Sequence, residues 1–326
     1  MKKKVLSVLL TSMLAVGMLA GCGSTEEPAE NAETNEENNV ENNVENDAAD
    51  AEEASAEEQA DVSSFDATSM ISVYSREDGS GTRGAFIELF GIEQKDENGE
   101  KVDYTTEEAI ITNSTDVMLT SIAGDTYGIG YVSLGSLNDT VKAVKIDGAE
   151  ATVDNIKAGA YTIARPFNIA TTSEVSEVTQ DFINFIMSAD GQAIVTEEGY
   201  IEVSDAAAFE SNGAEGKIVV GGSSSVSPVM EKLIEAYSAI NTAAEIELQT
   251  SDSSTGMTGA ADGTLDIGMA SRELKDSEIE AGLTGTKIAM DGIAVVVNLE
   301  NPVEDLSSET VKAIFTGEAT EWNVAN

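Results

Sequence analysis

Residues 71–86, Ile-Ser-Val-Tyr-Ser-Arg-Glu-Asp-Gly-Ser-Gly-Thr-Arg-Gly-Ala-Phe, constrain the chain more than any other stretch. The β-branched and aromatic run Ile71 to Tyr74 predicts a short strand. Asp78-Gly79-Ser80-Gly81 predicts a tight turn, and from Thr82 a helix is expected with Phe86, Leu89 and Phe90 on its apolar side. A strand, a Gly/Ser turn and a helix start leave backbone N–H groups unpaired, and the helix dipole adds partial positive charge at the same place. Glycine lets the backbone come close to an anion. Ser80 and Thr82 would add hydroxyl donors, and Arg76 a two-pronged charged one. The same residues also make an ordinary turn with helix-capping hydroxyls, so this stretch alone leaves the two readings level. No Gly-Lys-Ser/Thr follows, which rules out a nucleotide P-loop.

The pattern recurs. A strand from Lys217 runs into Gly221-Gly222, then Ser223-Ser224-Ser225, and a helix is expected from about Pro228, a residue suited to a first helical turn. A strand over Ile246–Thr250 leads into Ser251-Asp-Ser-Ser-Thr-Gly256 and a short helix carrying Met257. Further strands are expected over Tyr127–Val132, Val141–Ile146, Leu265–Arg272 and Gly292–Asn298, and an extended segment over Tyr161–Phe167. Helices are expected over Val178–Met187 and Leu306–Phe315, and a polar loop over 204–216. This alternation predicts an α/β architecture. Three hydroxyl-rich turns, at 78–82, 223–227 and 251–256, point to helix N-termini converging on one oxyanion in a crevice at the carboxyl ends of strands. Three unrelated helix caps are the competing explanation.

Lys2, Lys3 and Lys4 precede an apolar run from Val5 to Ala20, the pattern of a signal peptide and too short for a stable membrane span. It ends Leu19-Ala20-Gly21-Cys22. This resembles a bacterial lipobox, which implies that Cys22 becomes the lipidated, palmitate-bearing first residue of a membrane-anchored mature protein; an ordinary cleavage site with a chance cysteine is the alternative. Cys22 is the sole cysteine, so no disulfide can form within the chain. Residues 23–66 consist largely of Glu, Asn, Ala, Asp and Ser with no Lys or Arg, and are expected to be a disordered, self-repelling acidic tether. About 260 residues remain beyond it, enough for two modest lobes or one large domain. The formal net charge of -43 argues against nucleic acid or an anionic membrane surface as partner. The chain has no histidine, which removes Ser–His catalysis and the commonest zinc ligand; no metal and no cofactor are expected. An anion site survives in such an acidic chain because dipoles and a buried arginine act at short range while distant charges are screened.

Arg76 to Thr82, Gly222 to Pro228, Ser253 to Gly256, Ile267 to Arg272, Ile314 to Gly317 with Trp322, and Tyr161 to Phe167 together resemble the phosphate-binding proteins of bacterial phosphate ABC importers (PstS type). The resemblance covers essentially all of 70–326. The motif order differs: in that family the Gly-Ser-Ser-Ser segment comes first, whereas here the Arg76 segment leads, which resembles a circular permutation joined through 204–216. The resemblance implies a two-lobe, periplasmic-binding-protein-like (type II) fold with a hinge. Lobe II would comprise 67–156 plus 300–326 and lobe I 157–299, with crossings near Ala158–Arg165 and Asn298–Val303. It also implies that the chain ends lie close together, near Ser69 and Asn326.

Carried over by position, the family's site implies Arg76, Ser80, Gly81 and Thr82 from one lobe, and Ser224, Ser225, Val226, Ser253 and Ser271 from the other. Ser271 stands where better-known members have an aspartate that accepts the proton of hydrogen phosphate, so discrimination against sulfate is weakened. Asp291 is either a substitute acceptor or a turn aspartate, Arg272 either a structural ion pair or a ligand contact, and Asp78 is expected to fix its turn and Arg76. The implied function is an extracytoplasmic, lipid-anchored, monomeric solute-binding protein that captures inorganic phosphate for the permease of an ABC importer. Competing readings are a binder of another tetrahedral oxyanion such as sulfate, a surface adhesin or sensor without transport, and a phosphoester- or serine-dependent enzyme, which the absence of histidine opposes.

Overall fold

The structure, a computed structural model, describes residues 65–325. The signal segment, the lipobox with Cys22 and the acidic stretch to residue 64 lie outside the described residues. Phe65, expected within the tether, packs its ring 5.1 Å from Tyr127 and 6.2 Å from Trp322.

The expected opening strand and helix form β1 (Ser72–Arg76) and α1 (Gly81–Leu89). A small hairpin of β2 (Glu93–Lys95) and β3 (Lys101–Asp103) follows, then β4 (Ile110–Thr112), α2 (Thr115–Ala123) and β5 (Gly128–Ser133). Short β6 (Lys142–Ala143) and β7 (Lys145–Ile146) divide the single strand expected there. They precede a left-handed turn at Asp147 and Gly148 and α3 (Val153–Lys157). Next come β8 (Ala164–Thr171), α4 (Glu177–Ile186) and α5 (Ala189–Glu197), the second helix starting on the Ser188 cap. The polar segment after 201 has no helix or strand until β9 (Gly216–Ser223). Then follow α6 (Ser227–Ile240), β10 (Ala244–Ser251), α7 (Ser253–Asp262), β11 (Ile267–Ala270), α8 (Asp276–Glu280), the long β12 (Thr284–Val297), β13 (Asp305–Leu306) and α9 (Ser308–Phe315).

Two βαβαβ units carry the architecture. β1, α1, β4, α2 and β5 form parallel strands in the order β4-β1-β5, and β9, α6, β10, α7 and β11 form parallel strands in the order β10-β9-β11. In each unit the strands run parallel with the first one central, so the loops leading from the first and second strands into their helices open side by side at the same sheet edge. β8 and β12 join the units. β8 runs antiparallel to β11 and to Thr284–Gly292 of β12; the remainder, Ile293–Val297, runs antiparallel to β5. β12 extends further toward its N-terminus than the apolar run from Gly292 predicts, because Thr284–Asp291 pairs with β8 and buries Ile288 and Ala289 in the second core.

The cores divide at the same place. Phe86, Ile129, Ile163, Ile293, Val295, Phe315 and Trp322 belong to one buried cluster, and Phe167, Phe182, Val220, Leu233, Met269 and Ala289 to another. Residues 293–297, expected in lobe I, thus pack with the first unit. The chain's two described ends meet: Met70 pairs with Glu321 in an antiparallel bridge, and Ile71 N donates to Thr320 O at 2.9 Å.

Candidate oxyanion site

Four helix N-termini face one another between the two units. α1 begins after the Ser80 cap, α2 after Ser114, α6 after Val226 and α7 after Asp252. Each follows the carboxyl end of a parallel strand, where helix dipoles and unpaired N–H groups favour negative charge. Close approach is needed on the second side. Gly222, near the end of β9 and paired beside Met269 of β11, has φ +134, and a Cβ there would lie 2.4 Å from Met269 O, so only glycine fits this strand end.

Buried hydroxyls line the interface. Thr82 Oγ1 and Ser225 Oγ lie 2.8 Å apart across it. Thr115 Oγ1 lies 3.4 Å from Ser224 Oγ and 3.3 Å from Ser225 Oγ. Ser223 Oγ donates to Ser271 Oγ at 3.0 Å, and Ser271 N donates to Ser253 Oγ at 3.2 Å. Arg76 Nη2 donates to Ser224 Oγ at 3.1 Å, and Nη1 to Thr115 Oγ1 at 3.5 Å. Ser254 N donates to Gly79 O at 3.2 Å, another bond across the interface.

The structure therefore brings Arg76, Gly81, Thr82, Ser224, Ser225, Ser253 and Ser271 together. Two other expected residues are occupied locally. Ser80 Oγ accepts from Arg83 N at 3.3 Å as the α1 cap, and Val226 N donates to Ser223 O at 3.0 Å within its turn. Thr115 escaped the sequence reading. Its signal was a fourth strand–hydroxyl–helix junction, Thr112-Asn-Ser-Thr-Asp116, without the glycines that marked the other three.

Arg76 is oriented by Glu77 rather than by Asp78. Nε and Nη2 donate to the two Glu77 carboxylate oxygens, each at 2.8 Å, a fork that adjacent residues on a strand end can close. Asp78 instead pairs with Arg83 at 3.1 Å, and Arg83 Nη1 donates to Arg76 O at 2.7 Å. Beneath this turn the buried Tyr131 hydroxyl accepts from Arg76 N at 3.1 Å, and its ring stacks on Phe86 at 3.9 Å. Burial pushes the Tyr131 phenol up, so it stays a neutral hydrogen-bonding group. Arg272 forks onto Glu278 at 2.7 and 2.9 Å, the structural pair. Asp291 lies within β12, not in a turn, and pairs with Arg165 at 3.0 Å.

Each hydroxyl can donate or accept, so the arrangement can surround a small oxyanion with donors from both sides. Among the described residues no carboxylate is hydrogen-bonded to these lining hydroxyls, and no cluster of His, Cys, Asp and Glu could hold a metal.

A family model described as a PBP superfamily domain matches residues 34–190 and 207–325. The phosphate-binding protein PstS 2 of Streptococcus agalactiae serotype V is 49% identical over 324 residues, covering 99% of this chain and 98% of that one. A crystal structure of a phosphate ABC transporter, phosphate-binding protein from Streptococcus pneumoniae TIGR4 is 45% identical. It matches with a TM-score of 0.63, over 79% of this chain and 100% of that chain. The phosphate-binding protein PstS of Bacillus subtilis (strain 168) is 32% identical over 139 residues, 41% of this chain and 42% of that one.

Proposed function

The chain belongs to the PBP superfamily, and from that premise we propose that it is an extracytoplasmic binding protein that captures inorganic phosphate and delivers it to the permease of an ABC importer. The observation that carries this reading is the convergence of four helix N-termini, Arg76 and a ring of buried hydroxyls on one interface between two βαβαβ units. Such a site binds by replacing the anion's water shell with fixed dipoles; no bond is made or broken. Arg76, Gly81, Thr82, Thr115, Ser224, Ser225, Ser253 and Ser271 are the proposed ligand residues, with Ser80 and Val226 shaping the turns that present them.

The molecule acts as two lobes closing on the anion. Residues 67–156 and 300–326 belong to lobe II and most of 157–299 to lobe I. We place the joint at Ile163–Arg165 and Asp291–Ile293, where the buried clusters divide. Cys22 carries the lipid anchor and the acidic stretch lifts a monomeric binding domain off the membrane. Among the described residues no helix is long and apolar enough to cross a membrane. A circular permutation relative to more distant members such as the Bacillus subtilis protein, which aligns over less than half of either chain, fits the bridge between Met70 and Glu321.

Calorimetric titration of the purified protein, stripped of bound anion, with phosphate and sulfate tests the reading. Tight phosphate uptake that Arg76→Ala weakens roughly 100-fold supports it; a folded protein giving no heat with either anion ends it. A second reading, a general tetrahedral-oxyanion receptor, is favoured by Ser271 and the carboxylate-free hydroxyl ring, and equal phosphate and sulfate affinity would select it. Replacement of Cys22 by Ala should release the protein from the membrane into the medium, which fractionation measures.

A further inference from the structure

The two strands that join the units carry a buried charged pair that the binding reading does not use. Arg165 on β8 and Asp291 on β12 are register partners, with side chains 2% and 0% exposed. Arg165 Nη2 and Nε donate to Asp291 Oδ2 at 3.0 and 3.2 Å. Their neighbours divide between the cores: Ile163 and Ile293 pack in one, Phe167 and Ala289 in the other. The pair therefore occupies the joint itself.

Stability does not account for it. Withdrawing both charges from water costs several kcal/mol per ion as an order of magnitude, and apolar residues of similar volume often serve as well or better. Burial pushes the Asp291 carboxyl up and the Arg165 guanidinium down, each opposed by the other's charge. The remaining hydrogen bonds give the pair a direction. Arg165 Nη1 donates to Ser271 O at 3.1 Å, and Ser133 Oγ donates to Asp291 Oδ1 at 2.9 Å. Ser271 forms one wall of the cradle, its hydroxyl meeting those of Ser223 and Ser253. Ser133 ends β5 in the opposite unit. Ser133, Asp291, Arg165 and Ser271 thus form one continuous buried path from the first unit, through the joint, to the anion cradle. Only a planar fork satisfies both ends, one edge on the carboxylate and the outer nitrogen on the carbonyl; a lysine ammonium on a flexible stem does not reproduce it.

We propose that Arg165, locked by Asp291, is a positioning residue for the oxyanion cradle: it fixes the Ser271 backbone so that the Ser271 hydroxyl faces the anion, and through Ser133 it registers that wall against the opposite lobe. The proposal rests on the phosphate-binding reading above. It also assigns Asp291 a role distinct from both those its sequence suggests, since its carboxylate is spent on Arg165 and Ser133 rather than offered to the ligand.

The test is a double-mutant cycle read by phosphate calorimetry on the whole protein, with thermal unfolding run alongside. The paired replacement Arg165→Met with Asp291→Leu removes the path without stranding a buried charge. It should unfold near the wild-type temperature yet bind phosphate roughly tenfold more weakly, equivalent to about 1.4 kcal/mol. Ser271→Ala should then cost less affinity in the paired background than in the wild type, because one wall is already displaced. A purely structural pair would move the unfolding temperature and leave the Ser271→Ala increment unchanged. A folded paired variant within twofold of wild-type affinity, or strictly additive effects, overturns the proposal. If the paired variant does not fold, Arg165→Lys decides by the same twofold threshold. A folded wild-type protein that takes up neither phosphate nor sulfate overturns the binding reading itself and this proposal with it, which the variants alone cannot do.

Discussion

Gly81→Ala separates closure from folding. Gly81 opens α1 with its Cα against the opposite unit. A Cβ there would lie 2.4 Å from Ser253 Oγ, 2.8 Å from Ser271 Oγ and 3.1 Å from Arg272 Cγ. Neither hydroxyl is free to swing away: Ser253 Oγ accepts from Ser271 N, and Ser271 Oγ accepts from Ser223 Oγ. Ordinary contact begins near 3.4 Å, so the two sides must part by about 1 Å. Parting by that much stretches the 2.8 Å Thr82–Ser225 contact beyond hydrogen-bond reach. An anion gripped from both sides then loses donors on one side. Two charge-assisted bonds at about 1.5–3 kcal/mol each amount to at least about a 100-fold weaker Kd. Stability should move the other way or not at all, because Gly81 is not in the left-handed region and alanine is the better helix former by up to about 1 kcal/mol. Calorimetric titration gives Kd and scanning calorimetry gives Tm. A Gly81→Ala protein with an unchanged Tm and a phosphate Kd within about threefold of wild type would refute the claim that this closed arrangement is the binding one.

Arg76→Ala removes the donor to Ser224 and strands Glu77, and should weaken phosphate roughly 100-fold while leaving the far-ultraviolet circular dichroism unchanged. Thr115→Val keeps shape and deletes one hydroxyl, so titration should show roughly a fivefold loss, about 1 kcal/mol, with no loss of folding. Asp252 caps α7 through Thr255 N at 2.9 Å; burial pushes its carboxyl up, but the hydrogen bonds from Thr255 and from the Ser254 and Asp252 backbone together outweigh this and hold it below the ordinary value of 3.8. A depressed folded-state value means the cap's contribution is complete above the ordinary aspartate range and is lost as pH falls through the folded value. Asp252→Ala should therefore lower Tm by about 2–4 °C at neutral pH, with the gap to wild type closing in acid. Raising ionic strength should leave the equilibrium Kd for phosphate nearly constant while stopped-flow association quickens, because salt screens the long-range repulsion from a chain of net charge -43 more than short-range contacts.

Three of the four converging helix starts were legible in the sequence because glycine, serine and proline cluster directly after apolar strands there. The start of α2 was not. β4 has only three residues, with Ile110 and Ile111 exposed, and its turn carries no glycine. The readable signal lay at a higher level. β4 and α2 stand to β1 and α1 as β10 and α7 stand to β9 and α6, so a reader who recognised the repeated unit would have looked for a hydroxyl at 115 once Ser253 was marked. The joint was illegible for another reason. Thr284 to Asp291 carries only the short apolar run Ile288-Ala289-Met290, too brief to mark a strand by itself, and its extended form is completed by pairing with β8. Which side the apolar 293–297 packs against depends on β5, far earlier in the chain, a non-local choice that no window of sequence contains. Glu77 and Asp78 are equally good partners for Arg76 on paper; the direction of the β1 strand end, which aims Asp78 at Arg83, decides between them.

The chain has four arginines, and all of them brace this interface. Arg76 lines it, Arg83 holds the Arg76 carbonyl, Arg165 holds the Ser271 carbonyl, and Arg272 reaches Ser254 Oγ at 3.4 Å. Each is matched by a carboxylate: Glu77, Asp78 with Asp103, Asp291 and Glu278 respectively. The five carboxylates outnumber the four arginines before any ligand arrives, so no unpaired cation is left to attract the anion. What remains uncancelled is directional, namely four helix N-termini and a set of hydroxyls whose oxygens are already fixed by one another. A chain so acidic gains from this arrangement. Paired arginines leave the inward-pointing helix dipoles and hydroxyls as the features that suit a small anion accepting donors from both βαβαβ units.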